Sequence, residues 1–190
     1  MNSLNWYEKY ISDKHWQKHT EEYAESFAKF LKKQNFKGLV IDIGCGNGRD
    51  ANVLHRYGFK TMGIDCFEKD IRIARKKFPK IKFEVQDAEE MKFRENSVDA
   101  FYMVNVIHFL EKENAVKEVL RVLKPKGYLF IHFNLEIADE KGNVDYKDSK
   151  KNILRLFHKF DIINKRKLER IDNEPIRHKH KILELILQKK

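Results

Sequence analysis

Residues 40–50 read VIDIGCGNGRD, and the reading of this stretch decides the fold of the 190-residue chain. A short β-branched run, LVIDI (39–43), leads straight into three glycines at alternate positions, Gly44, Gly46 and Gly48. Glycines there let the backbone approach a ligand and turn into a following helix without side-chain clash. Dinucleotide sites use GxGxxG, with a pyrophosphate resting on the helix N-terminus. Here the spacing is GxGxG, and acids flank it at Asp42 and Asp50. Two carboxylates repel a pyrophosphate and suit a ligand with a cationic group, which argues against a nicotinamide dinucleotide.

Outward from this loop, strands and helices alternate. Strands are predicted at 60–65, 82–87, 98–106 and 127–133, and helices at 50–57, 69–78 and 111–123, joined by short turns with Gly58, Pro79 and KPKG. Such alternation argues for a parallel sheet covered by helices on both faces. The end of the chain differs in kind. Residues 149–160 read as a helix, and 162–171 and 180–187 as two strands with no full helix between them. That hairpin predicts a seven-stranded mixed sheet whose last strand is antiparallel.

In a doubly wound sheet, ligands bind beyond the carboxyl ends of the strands. Asp65 closes the second strand, where a carboxylate can take both hydroxyls of a ribose. Asp87 closes the third, placed to accept from an exocyclic adenine amine, and Asn105 lies near the end of the fourth. Four successive strand ends thus offer polar groups to one edge.

These motifs resemble those of class I S-adenosylmethionine-dependent methyltransferases over residues 36–134. IDIGCGNGRD is similar to that family's glycine-rich motif, GID to its ribose-binding acid, and VQDAEEMKF to its adenine-binding segment. VDAFYMVNVIHFL resembles the strand lining the active site, and LKPKGYLFI the last parallel strand. Within the family the resemblance leans loosely toward small-molecule enzymes, including the tellurite-resistance type. It implies a Rossmann-like sheet and S-adenosylmethionine as cofactor. It also implies that Gly44, Cys45 and Gly46 approach the methionine moiety through backbone, and that Asp42 holds the loop or the ligand's amino group. By the same resemblance Asp65 binds ribose beside Cys66, Asp87 and Ala88 meet the adenine edge, and Asn105 approaches the methionine end. No NPPY-like motif follows the fourth strand and no cytosine-type catalytic cysteine motif is present, which speaks against DNA base methylation.

Methyl transfer from a sulfonium needs alignment more than acid–base help. If a base acts, His108 is the first candidate, with a packing role as its alternative. His132 reads as a satisfied core histidine. His178 and His180 share a strand face, but no third metal ligand is visible beside them in the sequence, so no metal is expected. His15 and His19 read as surface residues. Tyr23, Phe27, Phe30 and Leu31 recur at helical spacing after Thr20, a candidate cap. Ahead of them, Trp6, Tyr7, Tyr10 and Trp16 could fold over the cofactor as a lid, their rings facing a cation.

The chain is expected to be one domain: an N-terminal helical segment (1–37), a cofactor-binding core (38–134) and a C-terminal helix with two strands (135–190). The opening MNSLNWYEKY lacks a secretory pattern and no apolar run is long enough to span a membrane, so the cytoplasm is the expected compartment. Two cysteines, 45 and 66, make no disulfide framework. Net charge is +10, and 15 Lys/Arg against 7 Asp/Glu fall in residues 141–190. A small-molecule methyl acceptor is expected. The alternatives are an RNA or protein acceptor docked on that basic region, or a protein that binds the cofactor without turnover.

Overall fold

The computed structural model describes residues 22–173 and 177–190. Trp6, Tyr7, Tyr10, His15, Trp16, His19 and Thr20 therefore lie outside the described residues, and with them the lid and the cap.

Helix α1 (Glu22–Lys33) starts with Glu22 and Glu25 and ends with Lys32 and Lys33, each charge matching the local end of the helix dipole. Its inner face buries Tyr23, Phe27 and Leu31, as their spacing predicts. Strand β1 (Leu39–Ile43) follows, then α2 (Arg49–Arg56), β2 (Lys60–Asp65), α3 (Glu68–Lys77), β3 (Lys82–Val85) and β4 (Val98–Val104). A short 3-10 turn at Ile107–Phe109 leads to α4 (Lys112–Val122), β5 (Leu123–Asp139), β6 (Val144–Lys147), α5 (Lys150–Leu156), β7 (Phe160–Asp172) and β8 (His178–Lys189).

The sheet has eight strands, seven of them in the order β3-β2-β1-β4-β5-β8-β7. Strands β1 to β5 are mutually parallel along this path, and β8 is antiparallel to both β5 and β7. The antiparallel last strand is as expected. The eighth strand is an addition: β6 pairs with the extended end of β5 and was not legible in the sequence. β5 itself runs 17 residues, well past the expected 133, because β8 and β6 satisfy its outer half from both sides. At the opposite extreme, β3 and β4 stop two residues short of their expected ends, so Asp87 and Asn105 sit in the loops just beyond.

Central strands are apolar on both faces, as burial under helices on each side requires. One face packs Ile41, Ile43, Phe101, Met103, Leu129 and Ile131 against Val116 and Val119 of α4. The other packs Val40, Tyr102 and Phe130 against Phe27 and Leu31 of α1. Phe27 is fully buried and lies 5.3 Å from the Phe130 ring, so Phe27→Ala should cost about 3–5 kcal/mol.

Strand order reverses beside β1, whose neighbours β2 and β4 lie on opposite sides. A crevice opens at such a point beyond the carboxyl ends of the strands, and the glycine loop opens into it.

Candidate active site

The glycine loop is built by its own backbone before any ligand is considered. The Gly44 and Cys45 amides donate to the Ile64 carbonyl at 2.8 and 3.0 Å, continuing the β1–β2 ladder into the turn. Gly44 has φ +67°, and a Cβ placed there would lie 2.2 Å from Val106 Cγ2. That contact brings the loop after β1 against the loop after β4. Gly48 has φ +83°, and a Cβ there would meet the Phe83 ring at 2.7 Å. Two of the three glycines are thus required by packing and backbone geometry as well as by any ligand.

Asp65, at the end of β2, is tied into the same loop. Its Oδ2 accepts the Gly46 amide at 2.9 Å and its Oδ1 accepts the Phe67 amide at 2.9 Å. The Cys66 amide also bonds this carboxylate. Burial raises its pKa above the usual carboxylate value and these three amides oppose the rise. An ionised carboxylate has about four lone-pair sites. Most of the hydrogen-bonding capacity of Asp65 is thus already used to shape the loop, which bears on how many ribose hydroxyls it has room for. Cys66 beside it is exposed, and Phe67 presents an apolar face that is 54% exposed, with Val85 at 39% on the neighbouring strand. Phe67 had no motif to announce it; only its exposure marks it.

Asp42 is buried on β1. The Ala51 amide, in the first turn of α2, bonds it, while its Oδ2 is buried without a hydrogen-bond partner. Burial, then the neighbouring Asp50 carboxylate, pushes its pKa well above the ordinary range. Asp50 does sit in the first turn of α2, but it is not a bare charge: Arg49 Nε lies 2.7 Å from Oδ1, and the Tyr102 hydroxyl donates to Oδ2 at 3.0 Å. Both flanking acids are therefore modified by their surroundings: burial disfavours the charge on Asp42, and Arg49 and Tyr102 share that on Asp50. Cys45 is buried, and its thiol is pushed up by that burial and by Asp42, which suits a packing group rather than a nucleophile.

Beyond β3, Asp87 is exposed, and its Oδ1 accepts the Glu89 amide at 2.8 Å; Ala88 is half-buried beside it. Asn105 is half-buried with φ +59°, turning the chain at the end of β4. The Gly44–Val106 contact places that turn directly across the crevice from the glycine loop.

A second group of polar side chains gathers farther along the same edge. His108 is buried, 4.3 Å from the Phe109 ring and 6.0 Å from Tyr146 of β6, and desolvation lowers its pKa to about 3. His132 is fully buried on β5 and meets the Tyr23 ring edge-on at 4.7 Å. It is a core residue, as expected, but not a satisfied one, since neither ring nitrogen has a hydrogen-bond partner. On the outer strands, Arg170 and Asp172 of β7 stand opposite His180 and His178 of β8. Arg170 Nη2 donates to Asp172 Oδ2 at 2.8 Å, and His180 Nδ1 lies 3.0 Å from Asn134 Oδ1. Asp172, Arg170 and Asn134 were missed in the sequence. β7 ends at Asp172 and β8 begins at His178, and the antiparallel register sets these two residues opposite one another.

With the geometry in place, comparison with known proteins adds the family. Residues 41–131 match the family model described as "Methyltransferase domain". A putative methyltransferase of Bacillus subtilis, YqeM, is 30% identical over 134 residues, covering 65% of this chain and 54% of that protein. The 2-methyl-6-phytyl-1,4-hydroquinone methyltransferase of Synechocystis is 35% identical over 97 residues, covering 48% of this chain and 30% of that protein. A probable tRNA methyltransferase 9B of Mus musculus is 37% identical over 107 residues, covering 54% of this chain and 23% of that protein. The chain spans about half or less of the length of these relatives. The crystal structure of the PH0226 protein from Pyrococcus horikoshii shares the fold, with a TM-score of 0.70 at 23% identity over 89% of each chain. The glycine loop, the ordered strand-end acids, the sheet order and these matches agree: residues 41–131 form a methyltransferase domain, in the fold of the class I S-adenosylmethionine-dependent methyltransferases.

Proposed function

We propose that this protein transfers a methyl group from S-adenosylmethionine to a small-molecule acceptor held at the carboxyl edge of β4 and β5. The observation that carries this reading is the meeting of two polar sets across the Gly44–Val106 contact. Asp42 and Asp65 lie at the carboxyl ends of β1 and β2, Asn105 lies in the loop after β4, and His108, His132 and Asn134 are taken to lie on the acceptor side. The residues present fit the cofactor, because the buried Asp42 Oδ2 has no protein partner and suits an ammonium group, directly or through water.

Bound S-adenosylmethionine supplies an activated methyl on a cationic sulfur. In this reading the Gly44–Gly46 backbone lines the methionine part, Asp65 holds one ribose hydroxyl, and Cys66, Phe67, Asp87 and Ala88 frame the adenine. Asn105 lies toward the reacting end. The chain's contribution is alignment and exclusion of water, which accounts for much of the acceleration of such displacements. His108 lines the acceptor side rather than serving as a base, because desolvation lowers its pKa to about 3 and so makes the imidazole a weak proton acceptor. Trp16 is assigned to a lid over the cofactor on its sequence alone.

The basic C-terminal region supports a second reading, an RNA or protein acceptor. Lys165 and Lys167 lower the pKa of exposed Lys150 by repulsion, which makes these three a basic cluster. Other charges of this region are internally matched: Arg166 with Glu184, Lys179 with Glu169, and Lys181 with Glu136. That matching favours the small-molecule reading.

Thermal shift with S-adenosylhomocysteine against NAD tests the cofactor, since a ligand that binds only the native state raises its stability. Stabilisation by NAD alone would remove the proposal. Methyl transfer from labelled cofactor across small-molecule, RNA and protein acceptors tests the rest. Labelling of RNA with a steep salt dependence would replace the small-molecule reading, and cofactor binding without any turnover would favour a sequestering or sensing protein.

A further inference from the structure

We propose that Asp172, His178 and His180 form a binding site for one divalent transition-metal ion. The three sit at the ends of β7 and β8 that flank the carboxyl edge of β5, and all are buried, with exposures of 6, 2 and 4%. One ligand atom from each lies within 4.8 Å of the others. Asp172 Oδ2 is 3.1 Å from His180 Nε2 and 3.9 Å from His178 Nε2. Ligands held at zinc distances of about 2.0–2.2 Å stand about 3.3–3.5 Å apart in a tetrahedron, so small rotations would complete the shell.

The arrangement around His180 adds an independent reason. Its Nδ1 lies 3.0 Å from the Asn134 side-chain oxygen, and in the Nδ1–H tautomer the ring donates to that oxygen. Nε2 then carries a lone pair, and it faces the Asp172 oxygen at 3.1 Å without alignment for a hydrogen bond. In that tautomer both groups turn lone pairs toward one point, a pair that a metal ion can bridge beside the Arg170 charge. A carbonyl that fixes one ring nitrogen and frees the other for a metal is a recurrent outer-shell device. Arg170 bonds Asp172 Oδ2 at 2.8 Å and supports the ionised carboxylate. Its charge also weakens the site for any dication, which leaves the two imidazoles as the principal ligands. Imidazole-rich sets with one carboxylate suit zinc, iron, cobalt or nickel. Three protein ligands would leave an open position on the ion.

The full chain, stripped with a chelator, should take up Co²⁺ with visible d–d bands and bind Zn²⁺ at one per chain by calorimetry. His178→Gln, His180→Gln and Asp172→Asn should each weaken binding at least about 100-fold, and Asn134→Ala about 10–100-fold. Affinity for S-adenosylhomocysteine should stay unchanged in the Asp172, His178 and His180 variants, which separates this site from the cofactor site and shows that these variants fold. If a variant does not fold, X-ray absorption of the zinc-loaded wild type decides between a shell with two imidazoles and any other. Absence of one-to-one binding by the wild type overturns the proposal, as do variants that bind as tightly, or a shell without two imidazoles.

Discussion

Asp65 Oδ2 and the Gly46 amide nitrogen are 2.9 Å apart, so the acid assigned to the cofactor is also the clasp of the glycine loop. Removing it should do two kinds of damage at once. Asp65→Ala is expected to weaken S-adenosylhomocysteine binding by 100-fold or more and to lower stability, because charged acceptors of amides contribute about 1.5–3 kcal/mol each. Asp65→Asn keeps one acceptor oxygen and should fall between. Calorimetry with parallel urea denaturation measures both; loss of affinity in Asp65→Ala with unchanged stability would show that the clasp carries no weight.

The crowding at Gly44 can be separated from its backbone strain. Gly44→Ala meets both the left-handed φ and Val106, whereas Gly58→Ala has φ +91° and nothing within 4 Å of its Cβ. The former should destabilise by about 3 kcal/mol or more and the latter by about 1 kcal/mol. Equal costs in urea denaturation would mean that Val106 moves aside freely.

Acid should weaken the fold through its buried histidines. His108 titrates near 3 and His180 near 4 in the folded chain, and His132 also lies well below its ordinary 6.5. The unfolded chain therefore takes up protons first as pH falls. Stability is complete above about pH 6.5 and drains away toward pH 4, on the order of 2 kcal/mol per group by pH 5. Asp42 and Asp65, with raised values, act in the opposite sense, so the clean observable is a difference. His132→Leu removes two unpartnered ring nitrogens and should match or exceed wild type at pH 7, with its advantage growing as pH drops to 5. A constant gap in Tm between the two proteins across that range would contradict the assignment.

Trp16→Ala is expected to weaken S-adenosylhomocysteine binding if the aromatic N-terminal segment covers the cofactor. Unchanged affinity by calorimetry would remove that role.

Much of the core could be read directly. β1, β2 and the helices between them are local in sequence, and their glycines, caps and apolar runs carry the signal within a few residues. Asp65 was identified, but its use on the Gly46 amide was not, because a hydrogen bond across 19 residues leaves no periodic trace. Asp50 was placed in its helix correctly, yet Tyr102, 52 residues away, supplies the hydroxyl that bonds its carboxylate. The outer half of the sheet was hardest. β6 is four residues long and polar, and β5 meets β8 across almost the whole C-terminal region, with Asn134 reaching His180 over 46 residues. The pairing of Asp172 with His178 follows from the β7–β8 register, which no local pattern in either strand records.

The position of β8 has a consequence for how the molecule is made. It follows β5 and β7 in the chain and yet lies between them, so neither can take its final neighbour until β8 emerges from synthesis. The glycine loop and its strands β1 to β4 are complete long before that. A nascent chain could therefore assemble a cofactor half while β5, with its buried His132 and Asn134, remains an open and adhesive edge. Non-local pairing of this kind is slow, since distant segments must be brought together before any contact rewards it. Aggregation during production should consequently trace to exposure of β5 rather than to the nucleotide half.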